Sequence, residues 1–432
     1  MARRFRATGL DLLPFVPAQD IEYWYGHCMK HEVTPRGVLY ISYDGMLEPL
    51  GQSQVLAYLE HLARTRAIHL LSFEKPEDWR DEVARAQIQA RMDAAGVRWH
   101  PRRYHKWPSA VATAWDILIG SASALWLTLR YRLRIVHARS YVPALMALIV
   151  KRLTGARFLF DMRGFWADER LDGGLWPREG RLYRITKSLE RRFLLGADHV
   201  VSLTHAAVRE MRTWTWLSGR MPPTTVISTC ADLVRFAASP TPPDKPFIVG
   251  YVGSAGTWYL FDEAVACFIL LRAMRPDAHW LIVNRGEHEF IRGRLEAAGV
   301  PAEAVELRTA EHSEMPRQMA RMHVGMFFIK PFFSKQASAP TKLGEFLGCG
   351  IPCLANAGVG DMADILEGER VGVAINQFDP QSMRTGLHAL LALVDDPRTR
   401  ARCVAAAHKH FLLEEGVARY AAIYEKLDGA AA

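Results

Sequence analysis

The chain has 432 residues, 50% of them apolar and 23% charged, and a formal net charge of +8. That length excludes a single hydrophobic core and suits two domains of roughly 200 residues each, in a composition ordinary for a soluble globular protein. The positive balance favours acidic partners such as nucleotide phosphates, anionic lipid or nucleic acid, and does not choose among them.

Residues 1–35 show no clear periodicity and read as an irregular extension. The basic cluster Arg3, Arg4 and Arg6 precedes an apolar run broken by Asp11 and Pro14, a poor secretion signal. The first domain, 36–236, opens on a strand over residues 37–43 and a glycine-bearing loop to Gln54. Val55, Leu56, Leu59 and Leu62 then recur at helical spacing. The loop lacks the GxGxxG spacing of a dinucleotide fingerprint, which argues against a nicotinamide enzyme. Strands at 67–73, 97–100, 134–139, 157–161 and 199–203 alternate with helices at 77–94, 109–129, 142–153 and 181–195, the pattern of βαβ units on a parallel sheet.

The helix at 109–129 has Asp116 as its only charge and is flanked by Arg102, Arg103 and Lys106 on one side and by Arg130, Arg132 and Arg134 on the other. Thr113, Gly120, Ser121, Ser123 and Thr128 dilute its apolar run. It is expected as a buried or interfacial helix rather than a span, and its basic flanks would suit an anionic membrane face.

A Pro-rich linker, 237–246, separates this domain from a second, 247–410, where the alternation restarts. Strands are expected at 247–252, 279–283, 304–307, 324–328, 351–355 and 371–374, with late helices at 380–393 and 400–427. A C-terminal helix, 411–432, is expected to pack back on the first domain. The six cysteines, Cys28, Cys230, Cys267, Cys349, Cys353 and Cys403, form no CxxC pair and lack a matching histidine set, which points to buried thiols in a reducing compartment. The fold class is α/β, with two doubly wound Rossmann-like domains facing one another across a cleft. Ligands are expected at the carboxyl ends of the strands that line it.

Three groups of residues bear chemistry at those ends. In the second domain, Pro340 and Thr341 stand where a helix begins, and Lys342 and Glu345 share one of its faces. Amides at the helix start and the lysine make an anion site, while the carboxylate can accept sugar hydroxyls. The loop Gly253-Ser254-Ala255-Gly256 can bring backbone N–H groups against a phosphate, and Arg285 follows another strand. In the first domain, Gly51 and Gln52, His137 and Arg139, and Asp161, Arg163, Asp168 and Glu169 follow three strands that open on one edge.

At these positions the chain resembles a known family. Tyr43-Asp44-Gly45 with Pro49 to Gln54, Phe160 to Glu169, Gly250 to Ser254 and Ser338 to Pro352 are similar to family 4 glycosyltransferases of the GT-B fold, in their Pro-Thr-Lys-Leu-Gly-Glu branch. The resemblance spans roughly residues 36–410. It implies retaining transfer of a sugar from a nucleoside diphosphate donor bound in the second domain, with no essential metal and no cofactor beyond the substrate. By position, Glu345 matches the second Glu of the family's Glu-x7-Glu motif, expected on the donor ribose. The first Glu, expected near the sugar ring, falls at Ala337, where Lys335 or Ser338 are candidate substitutes. The family's Arg/Lys pair for the diphosphate is missing from 254–260, so Lys342 and Arg285 are the candidates for that charge. His137 matches the family's cleft histidine.

The implied mechanism has Lys342, the helix start and the Gly253–Gly256 loop stabilising a departing diphosphate. His137, with Arg163 or Asp168, orients an acceptor hydroxyl, and Gly51, Gln52, Arg139, Asp161 and Glu169 line the acceptor side. The acceptor is expected to be a glycan or lipid-linked hydroxyl and nucleic acid is not an expected partner. The location is cytoplasmic, peripheral to the inner face of a membrane in one reading. A nucleotide-sugar epimerase-like enzyme or phosphorylase is one alternative; a non-catalytic nucleotide-sugar-binding partner, suggested by Ala337, is another.

Overall fold

The protein is described here by a computed structural model covering residues 37–429 other than 242, 244 and 312. The expectations for residues 1–35, with Arg3, Arg4, Arg6 and Cys28, lie outside the described residues, as do two positions of the 237–246 linker and the last three residues.

Apolar runs become central strands buried on both faces, as parallel sheets require, while the edge strands stay partly exposed. The N-terminal half holds β1 (Val38–Ser42), β2 (Ile68–Glu74), β3 (Val97–Arg103), β4 (Ile135–Arg139), β5 (Arg157–Asp161), β6 (His199–Ser202) and β7 (Thr224–Val226). They form one all-parallel sheet in the order β3-β2-β1-β4-β5-β6-β7. The C-terminal half holds β8 (Phe247–Val252), β9 (Ala278–Val283), β10 (Val305–Arg308), β11 (Val324–Met326), β12 (Cys353–Asn356) and β13 (Gly372–Ile375). These pair in parallel as β10-β9-β8-β11-β12-β13. The strand order reverses between β1 and β4 and again between β8 and β11, and such switch points open crevices at the carboxyl edge.

Helices Ser109–Arg130, Tyr141–Thr154 and Arg181–Gly196 cover one face of the first sheet over Leu39, Ile41, Phe158 and Phe160. Ala57–Leu62, Glu82–Ala95 and the last helix, Leu413–Gly429, cover the other over Val38, Tyr40, Ile68 and Leu70. The last helix therefore belongs to the N-terminal half's core, into which it inserts Tyr420, Ile423, Tyr424 and Leu427.

Two departures from the sequence reading follow from local geometry. The helix expected over 400–427 is two helices, Thr399–Phe411 and Leu413–Gly429, broken at the extended Leu412 beside Ala231. β7 is a three-residue edge strand, too short to give a sequence pattern. Among the described residues, Ser109–Arg130 is the one helix long and apolar enough to cross a membrane. It links β3 to β4 of the same sheet, so it lies along the domain as a crossover.

Candidate active site

At the β8/β11 switch point the chain leaves β8 through Gly253, whose φ of +100° favours glycine; a Cβ there would lie 3.0 Å from Lys342 Nζ. Lys342 Nζ donates to the Val252 carbonyl at 2.6 Å and stands 4.2 Å from the Tyr259 ring centroid and 5.4 Å from that of Phe327. Its helix, Thr341–Gly348, starts after Pro340, and the first-turn amides of Thr341 and Lys342 meet no acceptor among the described residues. One turn on, the half-buried Glu345 carboxylate has no hydrogen-bond partner among the described residues. Burial pushes its pKa up to about 7 against the opposing pull of Lys342. Unspent amides, a cation and an unpaired carboxylate thus share one helix start.

In the Gly253–Gly256 loop the amides of Gly253, Ala255 and Gly256 already have acceptors within the protein, which corrects the loop's expected role as a phosphate cradle. The anion it holds is internal: the Glu287 carboxylate accepts the amides of Ala255 and Gly256 at 2.8 and 2.9 Å and the Ser254 hydroxyl at 2.7 Å. Asn284 clamps the arrangement, donating from Nδ2 to the Gly253 carbonyl and to Glu287. These hydrogen bonds outweigh the carboxylate's partial burial and hold its pKa below the usual range. Arg285 is likewise spent elsewhere, exposed and paired with Glu311.

In the N-terminal half His137 is the middle residue of β4, fully buried, and its side chain points beneath the last helix. Its Nδ1 lies 2.7 Å from the Tyr424 hydroxyl, and its ring packs against Tyr40 and Tyr420. That position corrects its expected place facing an acceptor in the open cleft. Around it, Tyr420 donates to Asp161 at 3.0 Å, and the Arg163 and Arg139 guanidiniums stand 3.9 and 4.0 Å from the same Asp161 oxygen. Burial alone would raise the Asp161 carboxyl, but Arg163, His137 and Arg139 hold it below the ordinary value; burial pulls His137 downward. His137 Nε2, Arg139 Nη1 and Asp161 Oδ1 are buried without a hydrogen-bond partner among the described residues, although His137 Nε2 stands 3.7 Å from Asp161 Oδ2. Arg163 has a positive φ, +58°, and reaches Gln54 Oε1 at 3.5 Å, and Arg139 donates to Asp44 at 3.3 Å.

The structure therefore gathers His137, Arg139, Asp161 and Arg163, and separates them from Asp168. Asp168 accepts Tyr183 at 2.8 Å and Lys187 at 3.0 Å, beside the buried Glu190. Gly51 is required by packing, since a Cβ there would lie 2.0 Å from the Gly45 carbonyl, and Gln52 donates locally to Leu47. Glu169 crosses the cleft to Lys335 at 3.1 Å, and Lys335 Nζ stands 3.9 Å over Trp258.

The two halves meet around Ala337. Phe165 stacks on Phe333, the Ser334 amide donates to Asp172 at 2.9 Å, and Thr204 donates to the Gln336 carbonyl at 2.6 Å. Asp361 accepts the His205 and Ala206 amides at 2.6 and 2.8 Å, capping the N-terminus of helix His205–Thr213. Ala337 itself is 2% exposed, sits in the N-terminal half's core, and its carbonyl lies 3.7 Å from where a Cβ on Gly164 would stand. A cavity of about 490 Å³ nearby takes in Thr204, Ser228, Pro340, His410 and Arg419 but not Lys342, Glu345 or Gly253. Sequence reasoning missed Gln54, Glu287, Tyr420 and Tyr424. The i, i+4 spacing of the two tyrosines was the available signal for a buried stripe.

Residues 51–230 match the family model described as "Glycosyl transferase 4-like domain". No curated protein sequence matches the chain. Its fold is similar to that of a glycosyltransferase from Rickettsia africae ESF-5, with a TM-score of 0.67 and 12% identity over 91% of this chain and 98% of that one. Sucrose-phosphate synthase from Thermosynechococcus elongatus gives 0.68 and 15% over 91% and 100%. Anabaena HepE, solved with UDP and glucose, gives 0.62 and 12% over 90% and 99%.

Proposed function

The chain has the GT-B fold and carries a glycosyl transferase 4-like domain over residues 51–230, and from that premise we propose that it moves a sugar from a nucleoside diphosphate donor to a hydroxyl of a glycan or lipid-linked acceptor, with retention at the anomeric carbon. The observation that carries this is the start of helix Thr341–Gly348. Free amides and the Lys342 ammonium suit a diphosphate, and the unpaired Glu345 carboxylate suits ribose hydroxyls one turn away. The solved complexes of HepE with UDP and UDP-glucose support the donor class.

In this reading Lys342 and the helix start stabilise the leaving diphosphate, and preorganised donors of that kind are each worth about 3 kcal/mol of barrier. The leaving phosphate takes the acceptor's proton, so no side chain acts as nucleophile and no metal is required. The Glu169–Lys335 pair beside Trp258 stands next to the position where the family's sugar-contacting Glu would be, and is our candidate for contact with the transferred sugar.

The buried Ala337 favours a second reading, a nucleotide-sugar-binding protein without transfer activity. One experiment separates the two. UDP-, GDP- and ADP-sugars are ranked by thermal shift, and the best ligand is then supplied with membrane and glycan extracts while product anomers are read by NMR. Binding with α-to-α transfer supports the proposal. Binding without transfer favours the second reading, and no shift with any nucleotide-sugar overturns both.

A further inference from the structure

The helix Ser109–Arg130 is packed inside out for a protein surrounded by water. Its polar and small residues, among them Asp116, Gly120, Ser121, Ser123 and Thr128, face the protein. Asp116 accepts the Tyr43 hydroxyl at 2.8 Å and the His105 amide at 3.0 Å, and lies 2.6 Å from the His105 ring. Gly120 lets the helix approach Met146 and Phe73. Outward it turns Val111, Trp115, Leu118, Ile119, Trp126 and Leu129, with Trp115, Leu118, Trp126 and Leu129 each more than half exposed. At 3.6 residues per turn these six fall within an arc of about 100°. No charge interrupts the stripe, since Asp116, the only charged residue before Arg130, is on the buried side. An exposed apolar face of this size marks a surface that something apolar covers.

The rim identifies what covers it. Arg103 and Lys106 are exposed just before the helix, and Arg132 and Arg134 just after it. Trp107 and Trp126, which combine an apolar body with an N–H group, stand toward the two ends, the placement such side chains take at a membrane–water boundary. On the same face of the sheet, helix Arg181–Gly196 exposes Leu182 and Ile185 alongside Arg181 and Arg184. A second copy of this chain seated on the stripe would bring two cationic rims together, whereas anionic headgroups complement them.

We propose that this face seats the protein in a bilayer surface carrying anionic lipid, with Ser109–Arg130 lying in the plane of the interface. The stripe enters the headgroup–acyl boundary and the cations meet the phosphates. This inference does not depend on the transfer reaction.

The test is co-sedimentation of the full chain with vesicles of phosphatidylcholine alone and of equimolar phosphatidylcholine and phosphatidylglycerol. Binding is expected to the anionic vesicles. The triple variant Trp115→Ser/Leu118→Ser/Trp126→Ser should lower it by about tenfold or more with an unchanged melting temperature, because the altered side chains are exposed. Lys106→Glu/Arg134→Glu should weaken it by about tenfold. Failure to sediment with either vesicle, or binding that the triple variant leaves intact, overturns the proposal. Equal binding to both vesicle types overturns its anionic-lipid part. A dimer that the triple variant dissolves, without vesicle binding, reassigns the face to a second copy.

Discussion

Glu287 Oε1 accepts the Gly256 amide at 2.9 Å, so the turn after β8 is closed by a carboxylate from the turn after β9. A loop shaped for an anion has one of its own, whereas the Thr341 and Lys342 amides at the start of helix Thr341–Gly348 meet no acceptor among the described residues.

Glu287→Ala should therefore cost stability rather than donor affinity. It strips the acceptor from two amides and a hydroxyl, for a loss of about 1–2 kcal/mol given partial solvent access. Urea denaturation measures this. Because the Glu287 pKa is depressed on folding, its contribution is present above the unfolded value of about 4.5 and is lost as pH falls through the folded one. A large gain in nucleotide-sugar affinity in the variant would show that the loop is a donor site held shut.

Lys342→Ala should lower transfer about 100-fold while the protein stays folded, since the side chain contributes one hydrogen bond and its contacts with the Tyr259 and Phe327 rings. Steady-state kinetics with the donor identified by thermal shift checks this. A rate within a few-fold of the parent would remove Lys342 from the mechanism.

Glu345 should give donor binding a pH dependence. With a pKa pushed up to about 7, the folded protein keeps this proton between about pH 4.5 and 7 while the unfolded chain has released it. The group's contribution to stability accordingly falls as pH rises across that window and is level above it. Ribose hydroxyls need the carboxylate as acceptor, so affinity for a nucleotide-sugar, whose diphosphate does not titrate there, should rise through pH 7. Calorimetric titration should show this rise in the parent and a flat profile in Glu345→Gln. A profile shared by both proteins would assign the dependence to another group.

Tyr424→Phe should destabilise the N-terminal half by about 1–3 kcal/mol, because it leaves His137 Nδ1 buried without a hydrogen-bond partner while Nε2 has Asp161 Oδ2 only at 3.7 Å. Chemical denaturation reads the cost. A loss of transfer activity with unchanged stability would instead place His137 in the reaction.

Ala337→Glu, which supplies the carboxylate that the resemblance leads one to expect, should be costly here. The position is buried in the N-terminal half's core, and an added carboxylate must either force its neighbours apart or bury unpaired, for a loss of about 3 kcal/mol. Normal stability with raised transfer activity would show that the cleft opens at this point.

The sequence by itself determined the two parallel sheets, because strands buried on both faces appear as uninterrupted apolar runs and their crossover helices keep a 3.6-residue period. It also determined that Lys342 and Glu345 share a helix face, since three-residue spacing on a helix permits little else. Only the tertiary structure decided what the polar residues at the strand ends are spent on. His137 and Tyr424 are 287 residues apart, Lys335 and Glu169 are 166 apart, and Glu287 reaches its amides from the neighbouring crossover. A side chain's local pattern shows that it is polar, but its partner is set by which elements pack together. The same holds for Ser109–Arg130, whose composition was plain while the outward turn of its apolar stripe was not, because that depends on the sheet it lies against.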